Sequence, residues 1–139
     1  MSLLKLKSYN QKYTGNNFYG TACNSAGFEF TDRKSGVILS APHATKTFVG
    51  GRVKASDLYT GALVEYLGRK NGISTLIRTA YLPRQYLADE FLDGEVLKNG
   101  YFLDIHGMRD NGEFELAVGT VLLHCEMKSD VLALISETA

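Results

Sequence analysis

The sequence is poor in cysteine, and this shortage weakens the case for two kinds of site. Cys23 and Cys125 are its only cysteines. Neither belongs to a Cys-x-x-Cys pair, so the sequence predicts neither a zinc ribbon nor a dithiol redox centre. We expect both to be free thiols in a reducing compartment, which favours a cytoplasmic protein.

An excess of charge of either sign is also missing. The 139 residues include 15 basic and 15 acidic side chains, so the formal net charge is zero. Binding to a phosphate backbone needs clustered Lys and Arg side chains. The balance therefore predicts a small or polar substrate and no nucleic-acid partner.

Long apolar runs and the common nucleophile motif are absent as well. No run approaches the roughly 18 residues of a membrane-spanning helix, and residues 1–7 lack the apolar segment of a signal peptide. We expect no membrane partner. The sequence contains no Gly-x-Ser-x-Gly elbow, which makes a serine hydrolase a weaker hypothesis, and neither cysteine has the flanking motif of a cysteine hydrolase.

Two short apolar runs each lead to a histidine that is followed by a small residue. The run at 37–41 leads through Pro42 to His43, and the run at 101–105 leads to His106. Both runs are typical of buried parallel strands. Functional groups of open α/β sheets collect beyond the carboxyl ends of the strands. The sequence therefore predicts that the two imidazoles meet at one sheet edge and form a metal site.

The remaining patterns predict one three-layer α/β/α domain over residues 1–139, with a mostly parallel or mixed central sheet. Strands are predicted at 4–7, 28–31, 37–40, 73–79, 101–106 and 114–118, the first two as an edge hairpin or a lip over the site. Residues 45–54 are predicted to be a loop. Helices are predicted from an N-cap at Ser56 to the Asn71-Gly72 stop, at 83–98 and at 125–137.

Three side chains are candidates to hold a metal ion. A catalytic zinc ion usually takes three ligands from His, Asp and Glu and keeps a fourth position for water. His43 and His106 supply two, and Asp57 supplies a carboxylate. The alternatives are structural or substrate-binding histidines, and an Asp57 that only stabilises the start of a helix. Asp104 is either an acceptor for an imidazole N–H or a buried polar residue, and His124 is a core or surface histidine.

Candidate catalytic and substrate-binding residues follow from the same hypothesis. A metal-bound water needs a base, for which Glu115 is the candidate and Glu113 its neighbour; the alternative is a solvated acid at a strand edge. Arg52 and Arg84 are candidates to bind a substrate carboxylate with two hydrogen bonds.

The order of four motifs resembles the N-formylglutamate amidohydrolase family. The motifs are Ser40-Ala41-Pro42-His43-Ala44, Lys54-Ala55-Ser56-Asp57-Leu58-Tyr59-Thr60-Gly61, Leu103-Asp104-Ile105-His106-Gly107 and Val118-Gly119-Thr120. The resemblance covers about residues 36–120. It implies a phosphorylase/hydrolase-like core related to zinc carboxypeptidases, with His43, His106 and Asp57 as zinc ligands.

The sequence departs from that family in two respects. The Asn-Arg signature with which the family binds substrate is not found at any recognisable position, so Arg84 stands as a substitute. Members of the family are also longer than this sequence. We therefore expect a shortened or incomplete member. The leading hypothesis is a zinc-dependent hydrolase of an amide bond in a small N-acyl amino acid or peptide-like substrate. The alternative is a non-catalytic metal-binding or interaction domain, and an unfilled sheet edge would allow pairing with a second copy.

Overall fold

The structure is a computed structural model that describes residues 3–21, 27–83 and 101–107. The chain divides into two compact units, Met1–Met108 and Arg109–Ala139, and every described residue belongs to the first. The predicted elements at 114–118 and 125–137, and all but the first residue of the helix predicted at 83–98, lie outside the described residues. The prediction of a single domain stays a prediction.

The described residues form two helices and six strands around one mixed sheet. In chain order they are α1 (Leu3–Thr14), β1 (Phe28–Thr31), β2 (Val37–Ala41), β3 (Thr47–Val49), β4 (Arg52–Lys54), α2 (Thr60–Asn71), β5 (Ser74–Arg78) and β6 (Tyr101–Asp104). The sheet has the order β1-β5-β2-β6, in which β1 is antiparallel to β5 and β2 is parallel to β5 and β6. Strands β3 and β4 form a separate antiparallel pair. The prediction of an α/β fold with a mixed sheet is confirmed.

The core lies between the sheet and the helices. Leu39 and Ala41 of β2 alternate toward this side, where they pack with Val64 of α2, Ile77 of β5 and Tyr13 of α1. Helix α2 contacts β2 and β5, and α1 contacts α2. All five residues of β5 are buried, as expected for a strand in the interior of a sheet.

Most of the predicted strands are confirmed. The strands at 28–31, 37–40 and 73–79 correspond to β1, β2 and β5. The strand at 101–106 corresponds to β6, which ends at Asp104, although Ile105 N still donates to Ser40 O at 2.8 Å. The prediction that this run is buried is wrong, because β6 is the last strand in the order of the described sheet and is exposed except at the half-buried Phe102. Among the described residues, no helix is long and apolar enough to cross a membrane.

The strand predicted at 4–7 is wrong, and so is the edge hairpin that it was expected to form. These residues belong to helix α1, and β1 pairs with β5 instead. Four alternating residues are too short a pattern to exclude a helix. Leu6, Tyr9 and Tyr13 recur at helical spacing, and Tyr13 is only 1% exposed in the core.

The loop predicted at 45–54 is wrong because it contains the hairpin β3–β4. Gly50 and Gly51 connect the strands with φ angles of 58° and 79°. Positive φ at both central residues is the requirement of the type I′ turn, whose twist matches that of a hairpin. Two three-residue strands carry too little alternation to be recognised from sequence.

The helix predicted from Ser56 to Asn71-Gly72 corresponds to α2; its predicted start is wrong, whereas its predicted end is confirmed. Tyr59 is the N-cap of α2, with a φ of 65° and no capping hydrogen bond from its side chain. Thr60 Oγ1 donates to Asp57 O at 2.8 Å, and Leu58, which precedes the helix, is 59% exposed. The helix ends at Gly72, which has the left-handed conformation common at this position.

Candidate metal centre at the carboxyl edge of the sheet

The two strand-end histidines lie side by side. Strands β2 and β6 are parallel neighbours, with Ser40 opposite Asp104, so the segments that follow them emerge at the same edge of the sheet. The ring centroids of His43 and His106 are 5.2 Å apart, and the ring planes are inclined by 45°. The convergence that the sequence predicts for these imidazoles is present.

Asp57 lies beside both histidines. Its backbone N–H donates to His43 O at 2.7 Å, and its Oδ2 lies 3.2 Å from Nδ1 of His106. Its Oδ1 lies 3.4 Å from Nζ of Lys54, and the Asp57 side chain is only 9% exposed. A Cβ atom at Gly107 would lie 3.1 Å from Cβ of Asp57, so the small residue after His106 lets the carboxylate approach.

The environment of His43 favours a neutral ring. Burial lowers the pKa of His43 to about 4, assisted by the positive charges of Lys54, His106 and Arg78 and opposed by Asp57. Its Nδ1 lies 3.0 Å from Thr47 Oγ1. Neutral imidazole is the form that binds metal ions, so His43 is suited to ligation at neutral pH.

Two contributors to this site, Thr47 and Arg78, were not predicted as site residues. Thr47 lies in the segment expected to be a loop, and no sequence signal other than its position four residues after His43 marks it. Arg78 is 4% exposed in β5, and its Nε donates to Pro42 O at 2.9 Å. Arg78 thereby holds the residue that precedes His43.

The other predicted site residues have different locations. Arg52 is exposed on β4 and lines a surface depression with Val49, Gly50 and Lys54. Asp104 is exposed and accepts a hydrogen bond from Ser40 at its Oδ1, so the alternative of a buried polar residue is wrong. Six further residues named in the sequence analysis lie outside the described residues: Glu113, Glu115, Arg84, His124, Cys23 and Cys125.

Two separations relate the three candidate zinc ligands to one another. Two donors on a tetrahedral zinc ion lie about 3.3 Å apart, and two imidazoles bound to it have centroids roughly 5 Å apart. The 5.2 Å between the ring centroids of His43 and His106 agrees with the second value. The 3.2 Å between Asp57 Oδ2 and His106 Nδ1 is the length of a hydrogen bond between these two side chains. Within residues 3–21, 27–83 and 101–107, however, no three His, Cys, Asp or Glu side chains form a complete metal-binding group.

Comparisons with protein-family models, with curated proteins and with solved structures gave no match to this chain.

Proposed function

We propose that the protein is a zinc-dependent hydrolase that cleaves an amide bond in a small N-acyl amino acid or peptide-like substrate, as the resemblance to the N-formylglutamate amidohydrolase family implies. His43, Asp57 and His106 hold the metal. The observation that carries the proposal is the convergence of two imidazoles and a carboxylate at one sheet edge, where the rings of His43 and His106 are 5.2 Å apart and Asp57 contacts His106.

The residues present suit that chemistry. A bound zinc ion would supply a Lewis acid and a water molecule with a pKa near 7. Burial keeps His43 neutral, and the nearly buried Asp57 is charge-compensated by Lys54 at 3.4 Å. Glu115 remains the proposed base and Arg84 a proposed substrate contact, both on sequence grounds alone.

The hairpin β3–β4 supplies a cationic surface for the substrate. Val49 pairs with Arg52, and Thr47 pairs with Lys54. Because paired residues and residues two apart share a face of a hairpin, Arg52 lies on the same face as the two residues that contact His43 and Asp57. A guanidinium there would bind a substrate carboxylate, which favours an N-acyl amino acid over a neutral amide.

The finer features of the fold and location belong to the same proposal. A three-layer arrangement is supported by the burial of every residue of β5, since both faces of that strand are then covered. Its hydrolase-like character is implied by the family resemblance alone. A cytoplasmic location is supported by the two cysteines that lack a close partner in sequence.

Metal content tests the proposal. Protein purified without added metal, and then supplied with zinc, should contain about one zinc ion per chain. A variant with His43→Ala and His106→Ala should contain none, whereas His124→Ala, which removes the third histidine, should retain it. Native protein that takes up no zinc would overturn the proposal. Zinc uptake without hydrolysis of any N-acyl amino acid would instead support the alternative of a non-catalytic metal-binding domain.

A further inference from the structure

One hydroxyl group contacts the candidate ligand His43 from a position that no sequence motif marks. Thr47 Oγ1 lies 3.0 Å from Nδ1 of His43, and Thr47 is only 1% exposed. A buried polar contact of this kind is costly to disrupt, because the group that remains has no water to replace its partner. The contact therefore restricts the rotation of the His43 ring.

The hairpin fixes the position of that hydroxyl. Thr47 is the first residue of β3 and pairs with Lys54, the last residue of β4. Lys54 in turn contacts Asp57 Oδ1 at 3.4 Å, and Asp57 N donates to His43 O at 2.7 Å. The segment from His43 to Asp57 is thus closed by contacts at the open end of the hairpin, where Thr47 and Lys54 pair, and a shift of Thr47 would disturb this pair and the contact with His43.

We propose that Thr47 is a positioning residue for His43. Its hydroxyl is hydrogen-bonded to Nδ1 of the imidazole, so that Nε2 is the atom that His43 offers to a metal ion. The inference rests on the proposed function for the identity of the ligand. Metal-binding histidines commonly have the second ring nitrogen held by an oxygen, and the loss of such a partner typically weakens metal binding by about 10- to 100-fold.

Conservative variants at Thr47 separate this role from simple packing. Thr47→Val keeps the branched shape and removes the hydroxyl, whereas Thr47→Ser keeps the hydroxyl. The matched control is Thr79→Val, because Thr79 is also 1% exposed and its hydroxyl has no hydrogen-bond partner among the described residues. Zinc affinity is measured by competition with a chromophoric chelator, and the imidazole ¹⁵N shifts are measured with and without zinc.

We expect Thr47→Val to weaken zinc binding by about 10- to 100-fold, and Thr47→Ser to restore most of the loss. Thr79→Val should have no effect. In metal-free protein, the ¹⁵N shifts of His43 should change in Thr47→Val and stay unchanged in Thr79→Val. Wild-type affinity and wild-type His43 shifts in Thr47→Val would overturn the inference.

Two further readouts keep the test decisive. If Thr47→Val does not fold, the zinc-bound wild type decides: zinc on Nε2 of His43 supports the inference, and zinc on Nδ1 overturns it. If the wild type binds no zinc, the proposed function fails, but the ¹⁵N shifts of the metal-free variants still decide whether Thr47 holds the ring.

Discussion

The centre of the sheet and the hairpin β3–β4 are built in opposite ways. Strand β5 is buried along its whole length, whereas Val49, Arg52 and Val53 of the hairpin are exposed and Thr47 is its one buried residue. Apolar burial stabilises the sheet. The hairpin has little buried area, and its contacts are polar and directed at the site.

This difference separates two tasks. The sheet decides where the histidines lie, because the parallel pairing of β2 and β6 brings His43 and His106 to one edge. The hairpin holds two side chains of the site in place, because Thr47 contacts His43 and Lys54 contacts Asp57. Substitutions in the sheet should therefore change stability, and substitutions around the hairpin should change ligand binding.

The largest effect is expected from the sheet. Leu76→Ala removes a side chain that is only 2% exposed, so it should lower the free energy of unfolding by about 2–5 kcal/mol. Zinc affinity of the remaining folded protein should not change. Leu103→Ala is the matched control, because Leu103 is 42% exposed and should cost much less. Denaturant unfolding measures both losses, and a lower zinc affinity of folded Leu76→Ala protein would contradict the division of tasks.

Asp57→Asn is expected to have the next largest effect, on binding rather than on stability. Loss of the charge removes a proposed zinc ligand, and zinc affinity should fall by about 100-fold or more, corresponding to about 2.7 kcal/mol. The control is Asp32→Asn, since the exposed Asp32 pairs with Lys34 and should leave zinc affinity unchanged. Chelator competition measures the difference, and a near-native affinity for Asp57→Asn would remove Asp57 from the ligand set.

The pH dependence of stability should identify His43 as a neutral residue of the folded state. Burial lowers the pKa of His43 to about 4 in the folded protein, from 6.5 for a free imidazole, so the unfolded chain binds the proton first. The stabilisation is complete above about pH 6.5 and is lost as the pH falls toward 4. The loss from this group should be about 1–2 kcal/mol, since the ring is partly exposed and solvent screens its charge.

Thermal unfolding of the metal-free protein between pH 7 and pH 4 measures this loss. In a His43→Gln variant the acid-dependent decrease should be smaller by the contribution of the missing imidazole. If stability falls with acid as steeply in the variant as in the wild type, His43 titrates normally in the folded protein. The hairpin would then shield His43 from solvent less than its contacts indicate.

Arg52→Ala tests whether the exposed end of the hairpin binds substrate. For an N-acyl amino acid, KM should rise by about tenfold, with little change in kcat, because the lost contact is with a part of the substrate that does not react. A substrate whose carboxylate is amidated should show no such difference. The control is Arg69→Ala, which removes an exposed arginine paired with Glu65 on α2, and equal effects of the two substitutions would exclude a specific role for Arg52.

The same contrast explains which parts of the molecule could be predicted from sequence. The strand-forming run before His43 is apolar except for Ser40, so β2 and the end of the sheet at which His43 lies were predictable. The hairpin was not, because each strand has three residues and its turn depends on two glycines with positive φ. Asp57 was predicted as a ligand candidate. Its contact with Lys54 was not predicted, because that contact follows from the hairpin.

The role of Thr47 shows the same limit at the level of one side chain. Nothing in the sequence distinguishes Thr47 from Thr45, since both follow His43 in a polar segment. Only the β3–β4 pairing places the Thr47 hydroxyl on the imidazole, whereas the Thr45 hydroxyl donates to Lys46 O at 3.4 Å. Positioning residues depend on tertiary geometry, and local patterns do not contain it.

The smallest effect, expected from Gly50→Ala, tests whether the hairpin and the sheet are independent. Alanine at a φ of 58° should cost about 1 kcal/mol, and Gly15→Ala, where φ is not positive, is the control. Because the strain lies in a turn remote from β5, backbone amides of β3 and β4 should exchange hydrogen faster, while those of β5 keep their protection. Faster exchange in both regions would mean that they open together, and the hairpin could not adjust the site without weakening the sheet.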